Sequence, residues 1–345
     1  MTRVRLLVPL LGAGLLLAGT PALAAPTGSH VREREALDLL QAATRAGRDL
    51  TYTGTQVVDT WRGRDTGSAR AEVHHDPVAG STLDTSAPLA ATAALDPRLL
   101  ALLAAAYDLQ VTGPGRCTGR AARVVTASRP DGTVAGRFWL DQRSGLLLQR
   151  EVFDASGARV RSSAFVDLAV SSVSAGVSAA VTGPEAGAAS AFPQASVLRA
   201  LREDGWRVPR TLPGGFRLFD TALRTLRPGQ HVLHLAFSDG LSTVSLFAQR
   251  GRLGTAPVAG FTAETVGDRP VWVRHESPER VVWSGGGRVW TLVSDAPPAS
   301  VRDAVASLPG DAVARDGVGD GWGEQLRARL ARGLGRLGGM LNPFR

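Results

Sequence analysis

Val134-Ala-Gly-Arg-Phe-Trp-Leu-Asp-Gln-Arg-Ser-Gly-Leu-Leu-Leu-Gln-Arg-Glu-Val-Phe153 is the stretch whose reading decides the fold. Two apolar-alternating runs, Val134–Asp141 and Leu146–Phe153, flank Ser144-Gly145. A glycine-containing turn between such runs is a hairpin signal. The pattern extends in both directions. Ala122–Ala127 lies before it across Asp131-Gly132, and Arg159–Val170 follows Ser156-Gly157. The four runs predict an antiparallel meander.

Further toward the N-terminus, Tyr52–Trp61 and Ala69–His75 read as strands around Gly63 and Gly67. Val31–Arg48 reads as a helix, with Leu37, Leu40, Ala43 and Thr44 on one face. A second helix should start at Asp96, which can cap it. Pro97 suits its first position, and Leu99, Leu100, Leu102 and Leu103 give it apolar bulk. In the other direction, Ser171–Ser190 is nearly all Ser, Ala, Gly and Val, a linker composition. Ala195–Glu203 reads as a short helix. Strand candidates then follow at Phe216–Phe219, His231–Phe237, Leu241–Gln249, Pro270–His275, Arg280–Ser284 and Arg288–Ser294, ending in a helix at Pro297–Leu308. The expectation is an α+β chain. An N-terminal domain spans 25–170, a linker 171–204, and a smaller antiparallel sheet with a helix 205–310.

The ends read differently. Arg3 and Arg5 lead an apolar run, Leu6–Ala18, followed by Pro21 and Ala22-Leu23-Ala24. That order predicts a secretory signal over 1–24, because the run is too short to cross about 30 Å of hydrocarbon. The expected place is the periplasm or the extracytoplasmic envelope. Projected as a helix, Trp322, Leu326, Leu330, Leu334 and Leu337 fall on one stripe of the tail 311–345, with Arg329 off it. Such a stripe suits an anionic membrane surface or a partner. Against it, Gly333, Gly335, Gly338 and Gly339 weaken an isolated helix by nearly ~1 kcal/mol each. Docking on the protein itself stays open.

Composition removes whole classes of chemistry. All 39 basic residues are Arg and none is Lys. Schiff-base chemistry and a P-loop are therefore excluded. The net charge of +8 favours anionic surfaces or an acidic partner. Export and the absence of any zinc-finger, helix-turn-helix or RNA-binding signature argue against nucleic acid. Cys117 is the single cysteine, so packing, not a disulfide, must stabilise the fold. His231 and His234 are three apart in a predicted strand and diverge, and His74 and His75 are adjacent. No metal set, nucleophile elbow or other catalytic constellation emerges. The expectation is a non-enzyme without cofactor or metal.

Two binding surfaces remain. Tyr52, Trp139, Leu147, Phe153 and Phe165 are large apolar residues on the meander. They suit an ordinary core, or a cavity for acyl chains in which each buried methylene gains roughly 0.8 kcal/mol. In the second domain Trp272, Trp283 and Trp290 stand beside Arg274, Arg280 and Arg288, the residue types enriched at interface hot spots. A tryptophan-filled core is the equal alternative.

The same stretches resemble the MucB/RseB family. Gly119-Arg120-Ala121-Ala122-Arg123-Val124-Val125 is similar to its "GR.A..V" strand. Phe138-Trp139-Leu140-Asp141 and Ser144-Gly145-Leu146 are similar to its "WLD..TGL.L" hairpin, and Phe165-Val166-Asp167-Leu168 to its closing "F..L". Leu50-Thr51-Tyr52 fits its opening strand. In the second domain, Leu212-Pro213-Gly214-Gly215-Phe216, Phe237-Ser238-Asp239-Gly240-Leu241 and Gly285-Gly286-Gly287 through Pro297-Pro298 follow in order. The resemblance covers most of 31–309. It implies an open β-barrel like the LolA/LppX lipoprotein carriers, sensing lipids or lipopeptides. It also implies a small domain that binds the external part of a membrane-anchored anti-sigma factor. The implied role is an exported regulator of an extracytoplasmic sigma-factor stress response; the alternative is a lipid or lipoprotein carrier. The alanine-rich region 87–106 departs from the family pattern and puts the ligand in doubt, and the tail after Pro309 is extra.

Overall fold

The computed structural model describes residues 27–85, 96–171, 193, 195–227, 230–254 and 258–310. The signal, most of the linker and the tail of the sequence reading lie outside them. The first domain runs α1 (Thr27–Asp49), β1 (Thr51–Arg62), β2 (Asp65–Asp76), β3 (Gly80–Thr85), α2 (Pro97–Ala106), β4 (Asp108–Cys117), β5 (Arg120–Ser128), β6 (Val134–Asp141), β7 (Leu147–Phe153) and β8 (Arg159–Ser171). Its eight strands form one sheet in the order β3-β2-β1-β8-β7-β6-β5-β4. The sheet is open: among the described residues no pairing joins β3 to β4, so closure into a barrel is not seen.

The β6–β7 turn shows why this sheet folds where the sequence says. Asp141 accepts from the Ser144 backbone N–H at 3.0 Å and from the Ser144 hydroxyl at 2.6 Å. Gly145 then takes φ 79°, a left-handed value that glycine adopts without a side-chain penalty. Across the sheet the Arg120 guanidinium pairs with the same carboxylate at 2.7 Å. Burial pushes the Asp141 carboxyl up, but the hydrogen bonds from Arg120 and Ser144 outweigh it and hold it below the usual range. The α2 cap is as expected: the Arg98 backbone N–H donates to Asp96 Oδ1 at 2.7 Å, and Pro97 is the first helical residue.

The second domain runs α3 (Ala195–Glu203), β9 (Thr211–Leu212), β10 (Phe216–Arg227), β11 (Gln230–Ser238), β12 (Thr243–Arg250), β13 (Thr262–Val266), β14 (Arg269–Arg274), β15 (Glu279–Gly285), β16 (Arg288–Ser294) and α4 (Pro298–Ser307). Its strand order is β13-β14-β15-β16-β12-β11-β10-β9. Helix α3 belongs to this unit, since Leu198 and Leu201 join the core with Phe216, Leu235, Trp283 and Val301.

The first core centres on α1. Ala36, Leu40 and Ala43 pack with Val125, Phe138, Leu140 and Leu147. One member of that cluster is foreign to it. Leu241, in the turn after β11, inserts between the sheets and packs where Gly136 has no side chain. A Cβ at Gly136 would meet Leu241 Cδ2 at 2.6 Å. Beside it Gly240 takes φ 89° and lies directly against the Leu103 backbone, so a side chain there is excluded by both space and conformation. Fully burying a leucine gains about 1.5–3 kcal/mol, and here that gain belongs to the joint between domains.

Candidate partner-binding surfaces

The two sheets meet along a polar seam in which the cations come from one side. Arg62 of β1 pairs with Glu279 at 2.7 Å. Arg161 of β8 pairs with Asp295, which also accepts from the Thr243 backbone N–H at 2.7 Å. Arg150 of β7 donates to the Leu241 carbonyl, with its guanidinium 5.8 Å from the Phe138 ring centroid. Tyr107 donates its hydroxyl hydrogen to Asp239 at 2.6 Å. Asp239 shapes its own turn, accepting from the Leu241 and Ser242 backbone N–H groups at 2.8 and 2.7 Å.

Burial dominates the electrostatics here. It pushes the Arg150 guanidinium down to about 10, helped by Arg161 and opposed by Asp295 and Asp239. It pushes the Asp239 carboxyl up, against the Tyr107 and backbone hydrogen bonds and with help from Asp295. Where the seam opens, a cleft is lined by Trp61, Arg62, Arg161, Asp295, Pro297 and Pro298.

The five residues proposed for an acyl cavity do not meet in one chamber. Tyr52 and Phe165 share a cluster with Val73 and Leu146, their rings edge-on at 6.3 Å. Tyr52 also stacks on His75 at 5.0 Å and donates to the Gly47 carbonyl at 3.4 Å, tying the end of α1 to the sheet. Burial pushes its phenol up to about 12. Leu147 lies in the α1 core. Trp139 packs with Cys117, Ala122 and Leu148, above Gly115. Phe153 is half-buried, with the Arg137 guanidinium 5.2 Å from its ring centroid. Burial pushes the Cys117 thiol up, which works against formation of the thiolate.

The partner candidates also divide, and two of them need correction. Trp283 and Trp290 are interior, 0% and 1% exposed, with rings stacked at 6.2 Å. Their indole N–H groups are satisfied by the Pro309 and Gly285 carbonyls at 2.9 and 3.0 Å. A strand alternates its faces, and these two fall on the side covered by α3 and α4. Trp272 lies on the face opposite core residues Val271 and Val273, and is half-buried. Its neighbours Arg274 and Arg280 stand opposite each other in register and share Glu276, at 2.7 and 3.9 Å.

Arg288 is elsewhere, at the far end of β16. Its guanidinium sits 5.0 Å from the Trp206 ring centroid and donates to the Gly205 carbonyl at 2.6 Å. Opposite it in register stands Arg250, with Arg207 nearby. Sequence reading missed Arg207, Arg250 and Trp206, because only the β12–β16 register brings them together. It likewise missed the seam, whose partners are far apart in the chain. The tail candidates Trp322, Leu326, Arg329, Leu330, Leu334 and Leu337 lie outside the described residues. Among the described residues no group of three or more His, Cys, Asp or Glu could hold a metal ion. No described helix is long and apolar enough to cross a membrane.

Residues 69–182 match the model of the MucB/RseB N-terminal domain. No curated protein matches the sequence. Among solved structures, MucB in complex with MucA(peri) is similar at 23% identity, covering 80% of this chain and 100% of that one, with a TM-score of 0.44. A MucA/MucB complex from Pseudomonas aeruginosa is similar at 24% identity over 81% of this chain and 100% of that one, with a TM-score of 0.43. A LolA superfamily protein from Nitrosomonas europaea follows at 9% identity, 76% and 91% coverage and a TM-score of 0.18.

Proposed function

We propose, from the match of residues 69–182 to the MucB/RseB N-terminal domain, that this chain is an exported binding regulator of that family. Its partner is the external part of a membrane-anchored anti-sigma factor, and its output is control of an extracytoplasmic stress response. The observation that carries this reading is the family match over residues 69–182. The ordered second-domain motifs, from Leu212-Pro213-Gly214-Gly215-Phe216 to Pro297-Pro298, support it.

Carriage of a lipid, the alternative, calls for one continuous apolar chamber. The separation of Tyr52, Leu147 and Trp139 into three packing clusters favours protein binding over carriage. A lipid or lipopeptide enters this reading as a signal, not a cargo. Binding of the purified chain to the anti-sigma factor's external domain, followed by calorimetry, tests the proposal. Saturable one-to-one heat is expected, and no heat at micromolar concentrations overturns it.

A further inference from the structure

The corner of the second sheet at the β12 and β16 ends holds positive charge that the fold itself does not answer. Arg250 and Arg288 are direct partners on adjacent antiparallel strands. Like charges directly opposite in a sheet are destabilising. Burial, then Arg250 and Arg207, push the Arg288 guanidinium below its ordinary value, and no acidic group acts on it. Among the described residues neither Arg207 nor Arg250 has an acidic partner, and both are exposed.

The corner is also preorganised. Arg288 is held by the Trp206 face and the Gly205 carbonyl. A guanidinium fixed in this way loses little freedom on meeting a carboxylate, which its planar fork can bind at two points. Other arginines of the same sheet are treated differently: Arg274 and Arg280 share Glu276, and Arg269 is spent on the Val305 and Leu308 carbonyls.

We propose that Arg207, Arg250 and Arg288 form the seat for an acidic segment of the protein partner, docked along this sheet corner. The inference rests on the proposed function and specifies where and by what chemistry that partner is held. A peptide fits better than a membrane. The turn beside the corner is Gly285-Gly286-Gly287, with no apolar side chain to insert between lipids. Same-face side chains of an extended peptide recur about 6.6 Å apart, a spacing that long arginine side chains on strands about 4.8 Å apart can meet.

The test uses the full mature chain, its Arg250→Glu and Arg207→Glu variants, and Arg250→Lys, with three probes. These are the anti-sigma factor's external domain, a short oligo-glutamate peptide, and phosphatidylglycerol vesicles. Wild-type affinity for the external domain should fall as salt rises. Each reversal to Glu should weaken it by at least about tenfold, while Arg250→Lys keeps most of it. Oligo-glutamate should bind wild type and not the Glu variants, which holds even if the external domain proves not to be the partner. Unchanged affinity in both Glu variants for the two protein probes overturns the seat. So does a loss confined to the vesicles, which would make the corner a lipid contact. Failure of wild type to bind the external domain, with oligo-glutamate binding intact, overturns the proposed function and leaves the acidic specificity standing. Thermal unfolding at or above the wild-type midpoint shows that the variants are folded.

Discussion

The seam and the corner are built from the same side chain and solve opposite problems. At the seam, Arg62 and Arg161 face Glu279 and Asp295, and Arg150 reaches the Leu241 carbonyl across the joint. At the corner, Arg250 faces Arg288. In a chain with no Lys, arginine must serve both as internal clasp and as external grip. What separates the two uses is the supply of acceptors, not the residue. Removing an arginine should therefore harm the fold at one place and relieve it at the other.

The largest effect should come from Arg150→Ala. Removing this buried side chain leaves the Leu241 carbonyl without its donor and opens a cavity, costing roughly 2–4 kcal/mol, read as a lowered urea midpoint. Arg150→Met, of similar volume, should recover much of that loss. An equal loss in both variants would show that the seam needs the charge and its hydrogen bond, not the volume.

Asp239→Asn probes the same place through pH. Because burial raises its folded pKa, Asp239 stabilises the docked state fully below its free value of about 4. That contribution is lost as pH rises through the folded value. The Asn variant should flatten this slope in unfolding free energy plotted against pH.

Smaller effects are expected at the partly exposed Arg161–Asp295 pair. Arg161→Ala and Asp295→Asn should each cost about 1 kcal/mol, and the double variant should cost less than their sum in a double-mutant cycle. The smallest effect has the opposite sign. Arg250→Glu, by relieving a like-charge pair, should raise stability by roughly 0.2–1 kcal/mol in thermal unfolding. A destabilised Arg250→Glu would erase the contrast between the two regions.

Much of the fold was legible because its turns carry their own instructions. The β6–β7 hairpin and the Asp96 cap are local arrangements of a few residues, and local chemistry writes them. Strand β4 was missed because Gly113, Pro114 and Gly115 interrupt its alternation. In the structure it is an edge strand, where proline costs no ladder bond and Gly115 makes room for Trp139. The exposed edge strand β13 offers no apolar alternation. Strand β10 was followed only to Phe219, since Asp220–Thr225 is mostly solvent-facing.

Residue type singled out tryptophan and arginine in the second domain, but it could not sort core from surface. Trp283 and Trp290 face inward, while Arg288 gained its meaning from Arg250, which lies far away in sequence. The seam was invisible for the same reason, because Arg150 and Leu241 meet only when two finished sheets dock.

Trp283 donates to the Pro309 carbonyl, and Gly285 lies flush against Pro309 and Gly310. Gly285 is itself the register partner of Arg288. The chain is thus moored beside the arginine corner just before residues 311–345 begin. Any load placed on Arg288 therefore reaches Pro309 through one strand pairing and one hydrogen bond.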